Sequence, residues 1–354
     1  MEEVRTFNYE GQTIFVGLDV HKKDWKVSIH FEDIAHKRFT MAPEPERLVQ
    51  YLHKNFPGAI YQTVYEAGFS GFSVYRNLNA LGVDCRVVHP GDVATTDKER
   101  RGKTDVRDAN KLARELRSGT LTSITVPDET REQDRALLRQ RKAVQKEFNR
   151  IKQRIKSHLA FKGVRLPEEL DKPSWPIRMF DWLEKLSDRS EDMVLSSLLR
   201  QLRSNKEELK QMNVLVLALS RTPRYQDEVR YISSLRGIGA LSALTFLCET
   251  GDINNYPDMD HLCGYVGLVP SCHSSGEKER KGRLNHRGNK IVRTMLIECA
   301  WQAVQRDPQL HLDYCQYCKR MDKDKAIIRI AKKLLSRIRY VLIHRCEFDY
   351  SYLT

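Results

Sequence analysis

Four carboxylates stand out by where they fall. Asp19 closes the apolar run 14–20 (IFVGLDV), and Glu66 lies near the end of the run 59–68 (AIYQTVYEAG). Asp105 and Asp108 are three apart at the start of the helical segment 103–119. That spacing puts both side chains on one helix face, with Cβ atoms roughly 5–6 Å apart. If the first and fourth strands are neighbours, Asp19 and Glu66 project from adjacent strand ends, and the helix after the fifth strand can lay Asp105 and Asp108 over them. Four such charges repel: one pair 4 Å apart costs about 4 kcal/mol at an effective dielectric near 20. Cations must lie between them. Mg²⁺, which prefers hard oxygen ligands, fills such a site as a pair, and Mn²⁺ can substitute. A metal pair clamps the attacking and leaving oxygens of a phosphoryl transfer. Taken singly each acid has a plain role: Asp19 as a strand-end turn residue, Asp105 as a helix cap, Asp108 as a surface partner of Lys111 or Arg107. Four of them on the right elements, in the right order, point to chemistry.

The elements that must position them read as follows. An apolar run gives a strand at 14–20, period-two alternation one at 25–31, and a short turn leads to a third at 36–42; a helix from Pro43 to Phe56, a strand at 59–68, a helix at 70–82, a strand at 85–90 and a helix at 103–119 follow. Three strands before the first helix argue against a purely parallel doubly wound sheet and suit a mixed sheet with a meander at one edge. From about Thr130 strand signals fade. Val144, Phe148, Ile151, Ile155 and Leu159 mark a long amphipathic helix, which Pro167, Pro173 and Pro176 interrupt. A second long helix is expected over 191–221. Leu195, Leu202, Leu209 and Val216 recur every seven residues there, with Leu198, Asn205, Met212 and Leu219 as the companion seam. The heptad favours a coiled coil, either against the neighbouring helix 131–160 or across a dimer. Pro223 ends this region. Gly237 and Gly239 then make a tight turn between two helical segments, a hairpin whose exposed N–H groups can grip a phosphate. The last helix is expected over 324–345.

The net charge of +13 on 354 residues favours a polyanionic partner, nucleic acid before an anionic membrane surface. No apolar run approaches the length of a membrane span, and the first residues do not read as a secretory signal, so a cytoplasmic, nucleoid-associated protein is expected. The eight cysteines are sparse, and reduced thiols are the default. Only Cys315 and Cys318 have metal-ligand spacing, and no second such pair completes a zinc site. Basic residues concentrate in 131–165 (12 Lys/Arg against 3 Asp/Glu), in 277–293 (7 against 2) and in 319–339. Lys103, Arg139, Lys146, Arg150, Arg154, Lys278, Arg280, Lys281, Arg283, Arg287 and Lys290, with Gly237 and Gly239, are the candidate nucleic-acid contacts. Aromatic residues are few in these stretches, so base stacking is not the main mode.

With these residues in hand, the chain resembles the DEDD transposases of bacterial insertion sequences, the family that includes the Piv pilin-gene invertase and the bridge-RNA-guided recombinases. The matching stretches are FVGLDVHKKDWKVSI, VYEAGFSGFSVYRNLNALG and KTDVRDANKLAREL, then LRGIGALSALTFL and HLCGYVGLVPSCHSSGEKERKGRLNHRGNKIVRTMLIECAW. The resemblance implies an α/β RuvC-like (ribonuclease H-like) catalytic domain over 1–125, with metal-binding acids at Asp19, Glu66, Asp105 and Asp108. A helical coiled-coil region over 126–227 and a mainly α transposase domain over 228–354 follow. It further implies a serine nucleophile at Ser275, with Ser271 and Ser274 as rivals, and a composite site assembled between subunits of a dimer or tetramer. The partners implied are donor and target DNA and a noncoding bridge RNA. The function expected on this resemblance is an insertion-sequence recombinase that cuts and rejoins DNA through a serine-linked intermediate. The alternatives are a site-specific DNA invertase, a RuvC-like junction resolvase or nuclease using only the four acids, and a catalytically inert nucleic-acid-binding regulator.

Overall fold

The computed structural model describes residues 9–32, 34–93, 105–172, 174–275, 278–284 and 288–351, of which 34, 105–107, 270–275 and 278–283 by backbone alone. It forms two compact units, Met1–Val126 and Pro127–Thr354.

The first unit is built on a five-stranded sheet. Its strands are β1 (Thr13–Val20), β2 (Trp25–Phe31), β3 (Ile34–Met41), β4 (Ile60–Glu66) and β5 (Asp84–Val88), and its helices are α1 (Pro45–Asn55), α2 (Ser73–Ala80) and α3 (Asp105–Arg117). The strand order is β3-β2-β1-β4-β5. β1 pairs antiparallel with β2 and parallel with β4, and β4 pairs parallel with β5. The meander β1–β2–β3 thus forms one edge, as the three leading strand signals require.

Alternation along β1 divides its side chains between two layers. Ile14, Val16 and Leu18 are fully buried on the face covered by α1 and α2, with Leu48, Leu52 and Leu78. Phe15 and Gly17 look the other way, toward α3, where Val64 and Val88 of the sheet pack on Leu112 and Leu116. Gly17 is a close-approach position: a Cβ there would stand 2.0 Å from the carbonyl oxygen of Ala109 and 2.5 Å from the amide nitrogen of Ala113. Only a residue without a side chain lets the helix backbone rest on the strand. Farther along the same face, Asn110 Oδ1 accepts from Ser28 Oγ at 3.3 Å and from His30 Nε2 at 2.9 Å, tying α3 to β2. Burial, only partly offset by that hydrogen bond, holds the His30 imidazole below its usual pKa. His30 is therefore a neutral anchor.

The second unit is helical apart from one hairpin. Its helices are α4 (Glu129–Phe161), α5 (Ile177–Ser190), α6 (Met193–Ser220), α7 (Gln226–Ser233), α8 (Ala240–Thr250), α9 (Met259–Val266), α10 (Lys290–Arg306), α11 (Pro308–Cys318) and α12 (Lys323–His344). The hairpin is β6 (Pro270–Ser275) with β7 (Lys278–Leu284). Asp128 and Asp192 start α4 and α6 as N-caps, their carboxylates accepting backbone N–H groups that the helix leaves unpaired. The first half of the α6 heptad is covered within the chain, whereas Leu209, Met212 and Leu219 are only half-buried. Leu195, Leu198, Leu199 and Leu202 are buried with Ile151, Ile155 and Leu159 of α4 and Met179, Phe180 and Leu183 of α5. Val216 joins the second core, formed by α7 to α12. The simple two-helix seam expected from the spacing is thus a three-helix contact in its first half, because α5 fills the interruption that the prolines make.

Candidate active site

The register of the first unit decides where the acids stand. Leu18 of β1 pairs with Tyr65 of β4, so Asp19 and Glu66 are the next positions on two parallel neighbours. Gly17 and Asp19 share a face, as do Val64 and Glu66, and that face is the one α3 covers. α3 runs antiparallel to β1: Ala109 and Ala113 rest at Gly17, while Arg117, at the far end, donates to the carbonyl of Glu32. The helix start, with Asp105 and Asp108, therefore points toward the strand ends that carry Asp19 and Glu66. Asp105 is the first residue of α3, where a carboxylate also favours the positive end of the helix dipole.

The side-chain geometry is described for three of the four. Asp19 is 22% exposed, and its Oδ2 lies 3.1 Å from His21 Nε2. Glu66 and Asp108 are half-buried. The side chain of Asp105 lies outside the described residues. Among the described residues, no three His, Cys, Asp or Glu side chains stand close enough to hold a metal ion. The fold brings the four positions to one end and one face of the sheet. Their donor chemistry, carboxylate oxygens alone, suits a hard divalent cation.

Sequence reasoning missed two neighbours of this site. His21, two residues past Asp19, returns to the same carboxylate. Lys26 is the cross-strand partner of Asp19, with Nζ 2.9 Å from Asp24 Oδ2 and 3.2 Å from Thr40 Oγ1. Only the short turn between β1 and β2, which fixes the register, signals the pairing. On α3, the buried Lys111 Nζ donates to the carbonyl of Val93 at 3.4 Å.

The candidate nucleic-acid contacts are placed unevenly. Arg139, itself at the surface, forks onto the buried Glu249 with two 2.8 Å hydrogen bonds. Arg150 pairs with Glu147 at 3.2 Å, Arg154 donates to Gln201, and Lys146 is exposed. Lys290 is exposed at the start of α10. Gly239 is the open N-cap of α8, whereas Gly237, at φ +96°, is backed by the backbone of Ala303 at 2.5 Å from an added Cβ. The glycine turn is therefore half packing and half open surface. Lys278, Arg280, Lys281 and Arg283 lie on β7, with side chains outside the described residues, as are Lys103 and Arg287 altogether.

Glu249 itself is fully buried, and besides Arg139 it meets Arg135 at 3.5 Å and Asn289 Nδ2 at 2.9 Å. Burial alone would raise its pKa, but the hydrogen bonds from Arg139 and Asn289 and the arginine charges reverse this and hold it below the usual carboxylate value. A depressed folded-state value contributes stability that is present above the ordinary glutamate pKa and is lost as pH falls through the folded one. Acid unfolding of the second unit is therefore expected to begin at higher pH in Glu249→Gln than in the natural protein, read by circular dichroism along a pH titration. An unchanged acid midpoint would contradict this.

Residues 16–162 match the DEDD transposase profile of IS110, described as "Transposase", and residues 229–315 match the profile described as "Transposase IS116/IS110/IS902 family". Curated relatives agree. A putative transposase, y4qE, of Sinorhizobium fredii is 33% identical over 67% of this chain and 57% of its own length. The transposase for insertion sequence element IS1533 of Leptospira borgpetersenii is 27% identical over 68% and 70%. A second Sinorhizobium fredii protein, the putative transposase y4rJ, is 28% identical over 91% and 90%. The chain thus spans little more than half the length of the first of these.

These matches correct one expectation, that of a recombinase attacking DNA through Ser275. The profile over the first unit is the acidic-residue one, and the matched span, 16–162, includes the positions of all four carboxylates. The profile that spans position 275 is described only as a transposase of the IS116/IS110/IS902 family. A serine hydroxyl needs an activating base or metal. Ser275 closes β6, and its side chain, like those of Ser271 and Ser274, lies outside the described residues. With the acidic profile over the first unit and the second profile over the helical one, the chain belongs to the IS110 family of DEDD transposases.

Proposed function

We propose that this chain is a divalent-metal-dependent transposase whose first unit is a RuvC-like catalytic domain working through Asp19, Glu66, Asp105 and Asp108, with no protein nucleophile. The observation that carries the reading is the β1–β4 register, which sets Asp19 beside Glu66 on the face that α3 covers. The sheet order, with an antiparallel meander beside parallel strands, supports the RuvC-like assignment. The four carboxylates would hold Mg²⁺ or Mn²⁺, which when bound supplies charge neutralisation and Lewis-acid polarisation at a DNA phosphate. The chain's own part is positional. β1 and β4 present two carboxylates, α3 carries two more, and the Asn110 anchor and the Gly17 contact fix the helix over the strands. His21, with Nε2 3.1 Å from Asp19 Oδ2, orients that carboxylate. Donor and target DNA are the substrates, and the basic helix faces receive their backbones. A noncoding RNA partner, a homo-oligomeric assembly and a place at the bacterial nucleoid belong to the same reading; among the described residues no helix is long and apolar enough to cross a membrane.

The test uses purified full chain and insertion-sequence end DNA. Cleavage is expected with Mg²⁺ or Mn²⁺, to stop on chelation, and to persist in Ser275→Ala. Cleavage that survives chelation, or that Ser275→Ala abolishes in a folded protein, would overturn the acid-only reading. Recovery of a discrete RNA with protein purified without nuclease would establish the RNA partner.

A further inference from the structure

One side of α11 carries His311, Cys315 and Cys318, four and then three residues apart, a spacing that stacks side chains on one helix face. Cys315 is exposed, and Cys318, the last residue of α11, is half-buried. The His311 ring reaches two partners. Its Nδ1 lies 3.2 Å from the Val304 carbonyl oxygen of α10, and its Nε2 lies 3.5 Å from Cys315 Sγ. A carbonyl oxygen only accepts, so Nδ1 carries the ring hydrogen of the neutral imidazole. Nε2 is then a bare acceptor, and the Cys315 thiol donates to it. A nucleophile bonded to a base, with the base held by a third group, is the arrangement that activates a thiol.

The second sulfur is close by. Burial first, then a hydrogen bond with Cys318, then the nearness of Cys318 and Cys315 raise the Tyr314 hydroxyl above its usual pKa, so both sulfurs lie near one phenol. Residues three apart on a helix have Cβ atoms roughly 5–6 Å apart, and a disulfide needs about 3.5–4.5 Å. Cys318 ends its helix and a turn follows, so the last turn of α11 can yield by that margin. Four other thiols contrast with this pair. Burial pushes those of Cys85 and Cys248 up to about 12 and raises those of Cys263 and Cys299, which keeps them protonated and inert.

We propose that Cys315 and Cys318 form a thiol–disulfide exchange site for a small disulfide, with His311 as the proton acceptor. His311 Nε2 takes the Cys315 proton, and Cys315 Sγ attacks one sulfur of the small disulfide. The S–S bond breaks, and the departing sulfur leaves as a thiol with the proton from His311. Cys318 Sγ then attacks Cys315 Sγ, and the second small thiol departs with the Cys318 proton. Two protein thiols are oxidised to one disulfide, and the small disulfide is reduced to two thiols. This inference does not depend on the acidic residues, and its readout is not activity.

The reduced full chain is incubated with glutathione disulfide, free thiols are alkylated at timed intervals, and each cysteine is followed by peptide mass. Cys346, half-buried, is the internal standard. Cys315 is expected to react at least about tenfold faster than Cys346, and the Cys315–Cys318 disulfide to be the product. Cys318→Ser should stop the reaction at a glutathione adduct on Cys315, and Cys315→Ser should leave Cys318 slow. His311→Gln should slow Cys315 at least about tenfold with an unaltered thermal melt, which a merely structural histidine would not do. The three side chains lie at the surface or half-buried, so these variants should fold. Cys315 reacting no faster than Cys346, an adduct persisting on Cys315 in the natural protein, or a Cys315 rate unaltered in His311→Gln would overturn the proposal.

Discussion

Asp19→Asn is expected to lower metal-dependent DNA cleavage by at least about a thousandfold, a loss of roughly 4 kcal/mol in transition-state stabilisation. The substitution is nearly isosteric and the carboxylate is partly exposed, with a surface histidine as its described partner, so the fold should survive. The amide removes one negative charge from a set whose function is to gather cations. The effect should therefore appear in turnover at saturating Mg²⁺ as well as in metal affinity. Glu66→Gln and Asp108→Asn should behave alike, because the three positions share one end of one face. Cleavage assays beside a thermal melt separate chemistry from folding. An Asp19→Asn protein that melts normally and cleaves within about tenfold of the natural one, a deficit of only about 1.4 kcal/mol, would end the four-carboxylate account.

Gly17→Val tests the scaffold rather than the chemistry. Any Cβ at this position meets backbone on the α3 side, the Ala109 carbonyl at 2.0 Å and the Ala113 nitrogen at 2.5 Å, and backbone cannot rotate away as a side chain can. The helix must lift off the sheet, exposing Leu112 and Leu116, which are now buried. Overpacking of this kind usually costs about 1–3 kcal/mol, and with no flexible neighbour the cost here should exceed about 3 kcal/mol. Denaturant unfolding of the variant should show it. Activity should fall even where the variant remains folded, because Asp105 and Asp108 travel with α3. Ala109→Gly should not rescue it, since the blocking atom is a carbonyl oxygen. A Gly17→Val protein of natural stability would mean that α3 does not lie on β1.

Much of the first unit was legible because its signals are local. An apolar run marked β1, period-two alternation marked β2, and short segments bounded by turn residues marked the other strands; the three leading strand signals foretold the meander. The acids could be placed because strand ends and a helix start are readable from apolar runs. The Gly17 contact was not readable, since a glycine in a strand does not announce what rests on it. Nor was the pairing of Asp19 with Lys26, which depends on register. In the second unit, the hairpin β6–β7 carries almost no apolar alternation (PSCHSS against KERKGRL) and was read only as a loop and a basic run. α5 was hidden by the prolines before it. The serine assignment came from resemblance alone, and it is the part that the acidic-residue match displaced. Arg139 looked like a phosphate contact because its partner, Glu249, is more than a hundred residues away and invisible to any local reading.

That arginine has a wider consequence. Along α4, Arg131 donates to the Cys248 carbonyl, Arg135 and Arg139 serve Glu249, Arg141 reaches Asn213, and Lys156 holds Asp171. Cations held this way keep few mobile counterions to surrender. A polyanion settling on this helix would therefore gain less entropy from ion release than the twelve basic side chains of 131–165 suggest. Much of the formal charge of this stretch is mortar between helices, and the grip on nucleic acid must come from a smaller, more sharply placed subset.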